Sequence, residues 1–211
     1  MTPRPVAAVR PPSPRRGRGD VLAAAAALFH ERGADATSMH DVAARLGVTK
    51  AALYRHVRDR AELLRAVTAP VRAEMRDALA ASAAADDCPA ADRITSLLDA
   101  LARAGVADPV RHALFWGSDG APSRDPADAA CRETVVQRLA QLLEQAATRG
   151  EVRDDMAPRI AARLLLGAVT GAVAGRDTAR SGVPDPASST PVVTALLEGP
   201  VRSLAGGRRT R

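Results

Sequence analysis

The chain has 211 residues, 46% hydrophobic and only 2% aromatic, enough for one generous domain or two small ones around a sizeable core, which excludes a chain too polar to fold. Ala and Leu dominate while aromatic and β-branched residues are sparse, so the fold class that follows is all-α. The formal net charge is +6 and all of that excess lies in residues 1–66, the asymmetry of a protein with one end facing a polyanion, although a solvated face with a basic tail would look the same.

Residues 1–18 carry five arginines among prolines and no acidic residue, a composition unable to bury enough apolar surface to fold, and they read as a disordered basic arm. A helical pattern then starts near Asp20, with Val21, Leu22, Ala25, Leu28 and Phe29 on one face, and stops at Gly33. Thr37 offers a hydroxyl to cap a second helix whose stripe is Met39, Val42, Ala43 and Leu46, ended by Gly47. Thr49 can cap a third short helix with Leu53 and Val57 inward and Lys50, Tyr54, Arg55 and His56 outward.

A fourth helix opens at Asp59, with Glu62 closing a capping box and Leu63, Leu64, Val67, Val71, Met75 and Leu79 on its apolar face; it is expected to end in the stretch 80–89. Pro70 lies inside it, which predicts a kink over residues 66–70 because the ring removes a backbone hydrogen bond. Further helices are expected over about Ala90 to Arg103, from Asp108 and Pro109 to near Trp116, from Asp125 and Pro126 to Arg149 with Gly150 closing, and from Pro158 to Gly175. Residues 117–125 read as a loop and 176–188 as another, after which a last helix starts at Pro191 and is interrupted at Gly199 and Pro200. The domains expected are an arm over 1–18, a three-helix DNA-binding unit over 19–66, a helical effector-binding and dimerisation unit over 67–205, and a frayed tail over 206–211.

Several functions find no support in the residues. Cys88 and Cys131 are far apart and not in ligand-like spacing, so neither a disulfide nor a zinc site is expected, and both read as buried or half-buried thiols. No catalytic residues, metal or cofactor are assigned, because no Ser/His/Asp, Cys/His or Gly-rich phosphate pattern stands at usable spacing. The longest apolar stretch is too short to span a bilayer and no signal peptide is seen, so a cytoplasmic protein with no membrane partner is expected.

A helix-turn-helix needs a small residue where its helices meet, a glycine or similar in the turn, and an apolar residue under the second helix; Ala43, Gly47 and Leu53 supply these. The surrounding segment Val21 to Val67, with ALFHERG ending helix one, ATSM entering helix two, VAARLGVTKAALYRHV as its centre and an acidic-then-Leu-Leu start to helix four, resembles the DNA-binding domain of the TetR family of bacterial regulators. The resemblance implies a homodimer on a double-stranded, palindromic DNA operator and, in most members, a small-molecule effector that releases it. It implies phosphate contacts from Thr37, Ser38 and Thr49, base contacts in the major groove from Lys50, Ala51, Ala52 and His40, and backbone contacts from Tyr54, His56 and Arg60. Val57 stands where many members have Phe, and with alanines at 51 and 52 direct readout falls to Lys50, Arg55 and thymine methyl contacts.

The C-terminal half shows no motif of comparable specificity. His30 and His112 carry no motif and read as structural or surface residues, but Arg111, His112, Phe115 and Trp116, with Cys131 and Arg132 of the next helix, form a candidate ligand-binding cluster; plain core is the alternative. The helix 158–175 has an apolar arc too wide for one contact, which points to dimerisation through it and the helix from Pro191. A constitutive DNA-binding protein without effector is the competing reading.

Overall fold

The computed structural model describes residues 17–85, 87–117 and 122–178. Its elements are α1 (Arg18–Arg32), α2 (Met39–Leu46), α3 (Lys50–Tyr54), α4 (Arg60–Ala84), α5 (Ala90–Ala107), α6 (Pro109–Trp116), α7 (Pro126–Thr148) and α8 (Pro158–Thr178), with no strand among the described residues. The helix expected from Pro191, the tail and all of the arm before Gly17 lie outside them. No described helix is long and apolar enough to cross a membrane.

Two cores organise the helices. The first gathers Val21, Ala25, Leu28 and Phe29 of α1, Val42 and Ala43 of α2, Leu53 of α3, Val57, and Leu63 and Val67 of α4. The second gathers Val71 and Met75 of α4, Ile94, Leu97 and Leu101 of α5, Phe115 of α6, Val135, Leu139 and Leu142 of α7, and Leu165 and Val169 of α8. Helix α4 therefore belongs to both, and Pro70 stands at the changeover, between Val67 and Val71. Burial of these apolar faces, rather than intrinsic helix propensity, is the main stabilising term for such amphipathic segments.

Local chemistry sets the helix ends. Ser38, not Thr37, caps α2: its Oγ accepts from the Asp41 amide at 3.3 Å and the Asp41 carboxylate accepts the Ser38 amide at 2.8 Å. Thr37 is buried instead, its hydroxyl donating to the carbonyls of Leu28 and Gly33 at the end of α1. Gly47 ends α2 at φ 67°, a left-handed conformation that costs glycine least. Asp59 caps α4 through the Glu62 amide at 2.7 Å, but the Glu62 carboxylate turns back to the Arg58 amide, so the expected box closes one residue early. Helix α4 ends at Ala84, inside the stretch expected, and runs as one helix through Pro70. Cys131 is buried, whereas Cys88, read as at least half-buried, is exposed.

Candidate nucleic-acid interface and its coupling to the C-terminal core

Helix α2, the turn at Gly47 and α3 form a helix-turn-helix whose inner side is Ala43 and Leu53, 2% and 0% exposed. Packing fixes its pose, and polar ties reinforce it. Arg45 of α2 donates to both carboxylate oxygens of Glu31 on α1, at 3.2 and 2.6 Å, a bidentate pair that holds the Glu31 carboxyl below its usual range. Arg18 Nη1 donates to the His56 carbonyl at 2.8 Å, tying the start of α1 to the end of the recognition segment.

The outer side of α3 is polar and open. Lys50, Ala51, Tyr54 and Arg55 are exposed while Ala52 and His56 are half-buried, and Lys50 and Arg55 have no ion-pair partner among the described residues. Thr49 caps the helix, its Oγ1 accepting from the Ala52 amide at 3.2 Å, and His40 is exposed on α2. Other candidates are already engaged. Thr37 is turned inward; the Ser38 hydroxyl donates to Asp41 at 2.5 Å, so a carboxylate already occupies that helix start; and Arg60 donates to the Ala34 carbonyl at 2.6 Å and lies 3.4 Å from Asp35. In this arrangement Arg60 and Arg18 brace the loops around the motif.

Sequence reasoning missed a polar clamp between α4 and the start of α7. Asp128, fully buried, accepts from Thr68 Oγ1 at 2.8 Å, from Ser123 Oγ at 2.6 Å and from Arg72 Nη1. One turn earlier Arg65 donates to Asp125 at 2.7 Å, and Asp125 also caps α7 through the Ala127 amide at 2.9 Å. Burial works to raise the Asp125 carboxyl, but Arg65 and the backbone amides outweigh it and hold it below its usual range. Arg124 beside this clamp pairs with Asp35 at 3.5 Å, reaching the turn between α1 and α2. Residues about sixty positions apart thus connect the first core to the second, and no local sequence signal reports such pairs.

Helix α6 also touches both cores. Val110 and Leu114 pack on the first, Phe115 and Trp116 on the second. Of the six candidate ligand residues, Phe115 is buried in core. Arg132 is committed to the Phe115 carbonyl at 2.6 Å and the Ser123 carbonyl at 2.9 Å, with its guanidinium 5.4 Å from the Phe115 ring centroid. Burial raises the Cys131 thiol, which leaves it a weak nucleophile. Arg111 pairs with Asp108. His112 and Trp116 sit together, ring centroids 6.2 Å apart. An apolar cavity of about 110 Å³ lies elsewhere, lined by Leu143, Val152, Met156 and Leu165 between α7 and α8.

An exposed cationic second helix in a helix-turn-helix, braced on a larger helical core, defines a DNA-binding regulator fold. Comparison with known proteins agrees. Residues 21–67 match the family model described as bacterial regulatory proteins, tetR family. None of the curated proteins matches the sequence. Among solved structures, a transcriptional regulator of the TetR/AcrR family from Thermobifida fusca is 26% identical with a TM-score of 0.59, over 86% of this chain and 97% of that one. A member of the TetR transcriptional regulator family from Streptomyces coelicolor A3 is 25% identical with a TM-score of 0.69, over 90% and 92%. AibR, solved with isovaleryl coenzyme A and operator DNA, shares the fold at 21% identity and a TM-score of 0.62, over 85% and 97%. Residues 21–67 thus match the DNA-binding domain of the tetR family, and the chain as a whole is similar in fold to TetR-family transcriptional regulators.

Proposed function

We propose that the chain is a cytoplasmic repressor that binds a palindromic operator as a homodimer and is released by a small molecule held in its C-terminal half. The observation that supports it most is the outer face of α3, where Lys50 and Arg55 stand exposed beside Tyr54, with no ion-pair partner among the described residues, while Leu53 fixes the helix from below. Lys50, Ala51, Ala52 and Arg55, with His40 from α2, are the readers of base edges, and Thr49, Tyr54 and His56 the holders of phosphate. Ala51 suits a thymine methyl, as a side chain with no polar atom must.

Dimerisation is supported by α8. Leu165, Leu166, Val169 and Val173 face the core, which leaves Ile160 and Leu164 more than half exposed, with the small residues Gly167, Gly171 and Ala172 following along the exposed side. An apolar stripe continued by small residues lets a second helix approach closely, and a symmetric copy places two recognition helices on one side of the DNA. Release by an effector is supported by connectivity: α4 enters both cores, α6 packs on both, and the clamp at Asp128 joins α4 to α7. Helix α4, lacking one backbone bond at Pro70, is the element on which an effector and DNA would exert opposing bias. AibR is a relative in fold caught with both an acyl coenzyme A and operator DNA.

Tyr54→Phe tests the interface without disturbing the core, because the Tyr54 ring is half exposed. The variant is expected to keep its fold by circular dichroism and to lose about 1 kcal/mol of operator affinity, the scale of one hydrogen bond, in a fluorescence anisotropy titration. Unchanged affinity would remove the Tyr54 hydroxyl from the interface.

A further inference from the structure

Among the described residues, the buried side-chain polar atoms without a hydrogen-bond partner are Arg111 Nε, His112 Nδ1, His112 Nε2 and Trp116 Nε1, and all of them lie on α6. Buried polar groups are nearly always satisfied, and leaving one bare costs as much as making several bonds gains. Four such atoms on one eight-residue helix mark a place where a partner belongs. His112 and Trp116, four residues apart, share a helix face. His112 is fully buried, and its ring edge lies over Gly105 of α5, where a Cβ would come within 3.1 Å of Cε1 and 2.7 Å of Val173 on α8. The orphaned nitrogens of His112 therefore sit where α5, α6 and α8 converge, with Trp116 beside them.

We propose that this face of α6 is the recognition point for the effector of the function proposed above, on which this inference rests, and that the effector is an uncharged molecule with an apolar body and a carbonyl oxygen. The donor set selects the carbonyl. Trp116 Nε1 only donates, and neutral imidazole offers one donor and one acceptor, so donors outnumber acceptors. Burial holds His112 neutral at physiological pH. Arg111 is paired with Asp108, so no net positive charge is left to offset a buried carboxylate. Val173 close by, and the Trp116 ring with Phe115 packed edge-on against it, suit an apolar body. Because α6 also carries Val110 and Leu114 against the first core, occupancy at His112 would be felt at the DNA-binding domain.

Trp116 is the chain's sole tryptophan, so its emission reports this site directly. The full chain would be titrated with cyclohexyl methyl ketone, with its hydrocarbon counterpart isopropylcyclohexane, and with cyclohexanecarboxylate. The ketone is expected to change Trp116 emission saturably and to bind at least about tenfold more tightly than either comparison compound, the effect of roughly one well-made buried hydrogen bond. His112→Leu should weaken the ketone by about tenfold, and His112→Gln, which keeps a donor and an acceptor, should stay within about threefold. If His112→Leu does not fold, ligand-induced thermal shift in Trp116→Phe replaces it and should shrink in the same way. No saturable change, equal binding of the hydrocarbon, tighter binding of the carboxylate, or ketone binding indifferent to His112 and Trp116 overturns the proposal; the last would mean that buried water alone satisfies these atoms. Operator release is read separately: ketone that binds through His112 without releasing DNA leaves this site standing and defeats the effector role. A compound that releases DNA without needing His112 does the reverse.

Discussion

Asp128→Ala should lower the unfolding free energy by about 3–5 kcal/mol, the cost of removing one partner from a buried ion pair. Asp128 is fully buried and accepts from Arg72, Thr68 and Ser123 at once, while the Arg72 side chain is 16% exposed and has little access to water. Without the carboxylate, the Arg72 guanidinium and the Thr68 hydroxyl of α4 and the Ser123 hydroxyl before α7 lose their common acceptor. For a chain of this size the melting temperature should fall by roughly 10 °C. Arg72→Met with Asp128→Leu should recover most of the loss, because a well-packed apolar pair replaces a buried ionic one at little cost. Urea titrations of the three proteins check this, and a loss below about 1 kcal/mol for Asp128→Ala would show that the clamp does not hold α4 to α7.

Acid should destabilise the protein through His112. Burial pushes this imidazole down to about 4 from the ordinary 6.5, with the Asp108 carboxylate opposing the shift only in part. The unfolded chain therefore takes up a proton near pH 6.5 that the folded chain refuses until about pH 4. Across that window the unfolded state binds more protons, so stability is full above pH 6.5 and is lost as the pH falls, by about 3 kcal/mol at the lower end. His112→Leu, which cannot take the proton, should be flatter by that amount when urea midpoints at neutral pH and just above pH 4 are compared. Equal acid sensitivity in both proteins would mean that His112 is solvated or hydrogen-bonded in the native state.

How far the sequence reaches can be judged from particular residues. The helix-turn-helix was legible because Ala43, Gly47 and Leu53 are local signals: small contact, left-handed turn and buried anchor lie within eleven positions. Helices α6 and α7 were legible from Asp108–Pro109 and Asp125–Pro126, where an acidic cap is followed by proline at the first helical position. The cap of α2 was misread although its sign was present, since Ser38 followed three residues later by Asp41 completes a capping box and Thr37 has no such partner. What remained hidden is long-range. Nothing near Asp128 in the chain shows that Thr68 and Arg72 will meet it, and nothing near Ser82 shows that Arg93, 4% exposed, and Arg138 both donate to its carbonyl. The orphaned nitrogens of His112 are likewise a property of packing between α5, α6 and α8, which periodicity does not report.

The central claim is that the exposed face of α3 reads DNA sequence, and selection of bound sites from a random DNA pool by the full chain tests it most directly. The account predicts that the wild-type chain enriches an inverted repeat with half-sites about one helical turn apart, and that Lys50→Ala changes the preferred bases while still binding DNA. A wild-type chain that enriches no motif, or a Lys50→Ala chain that enriches the same one, would contradict it.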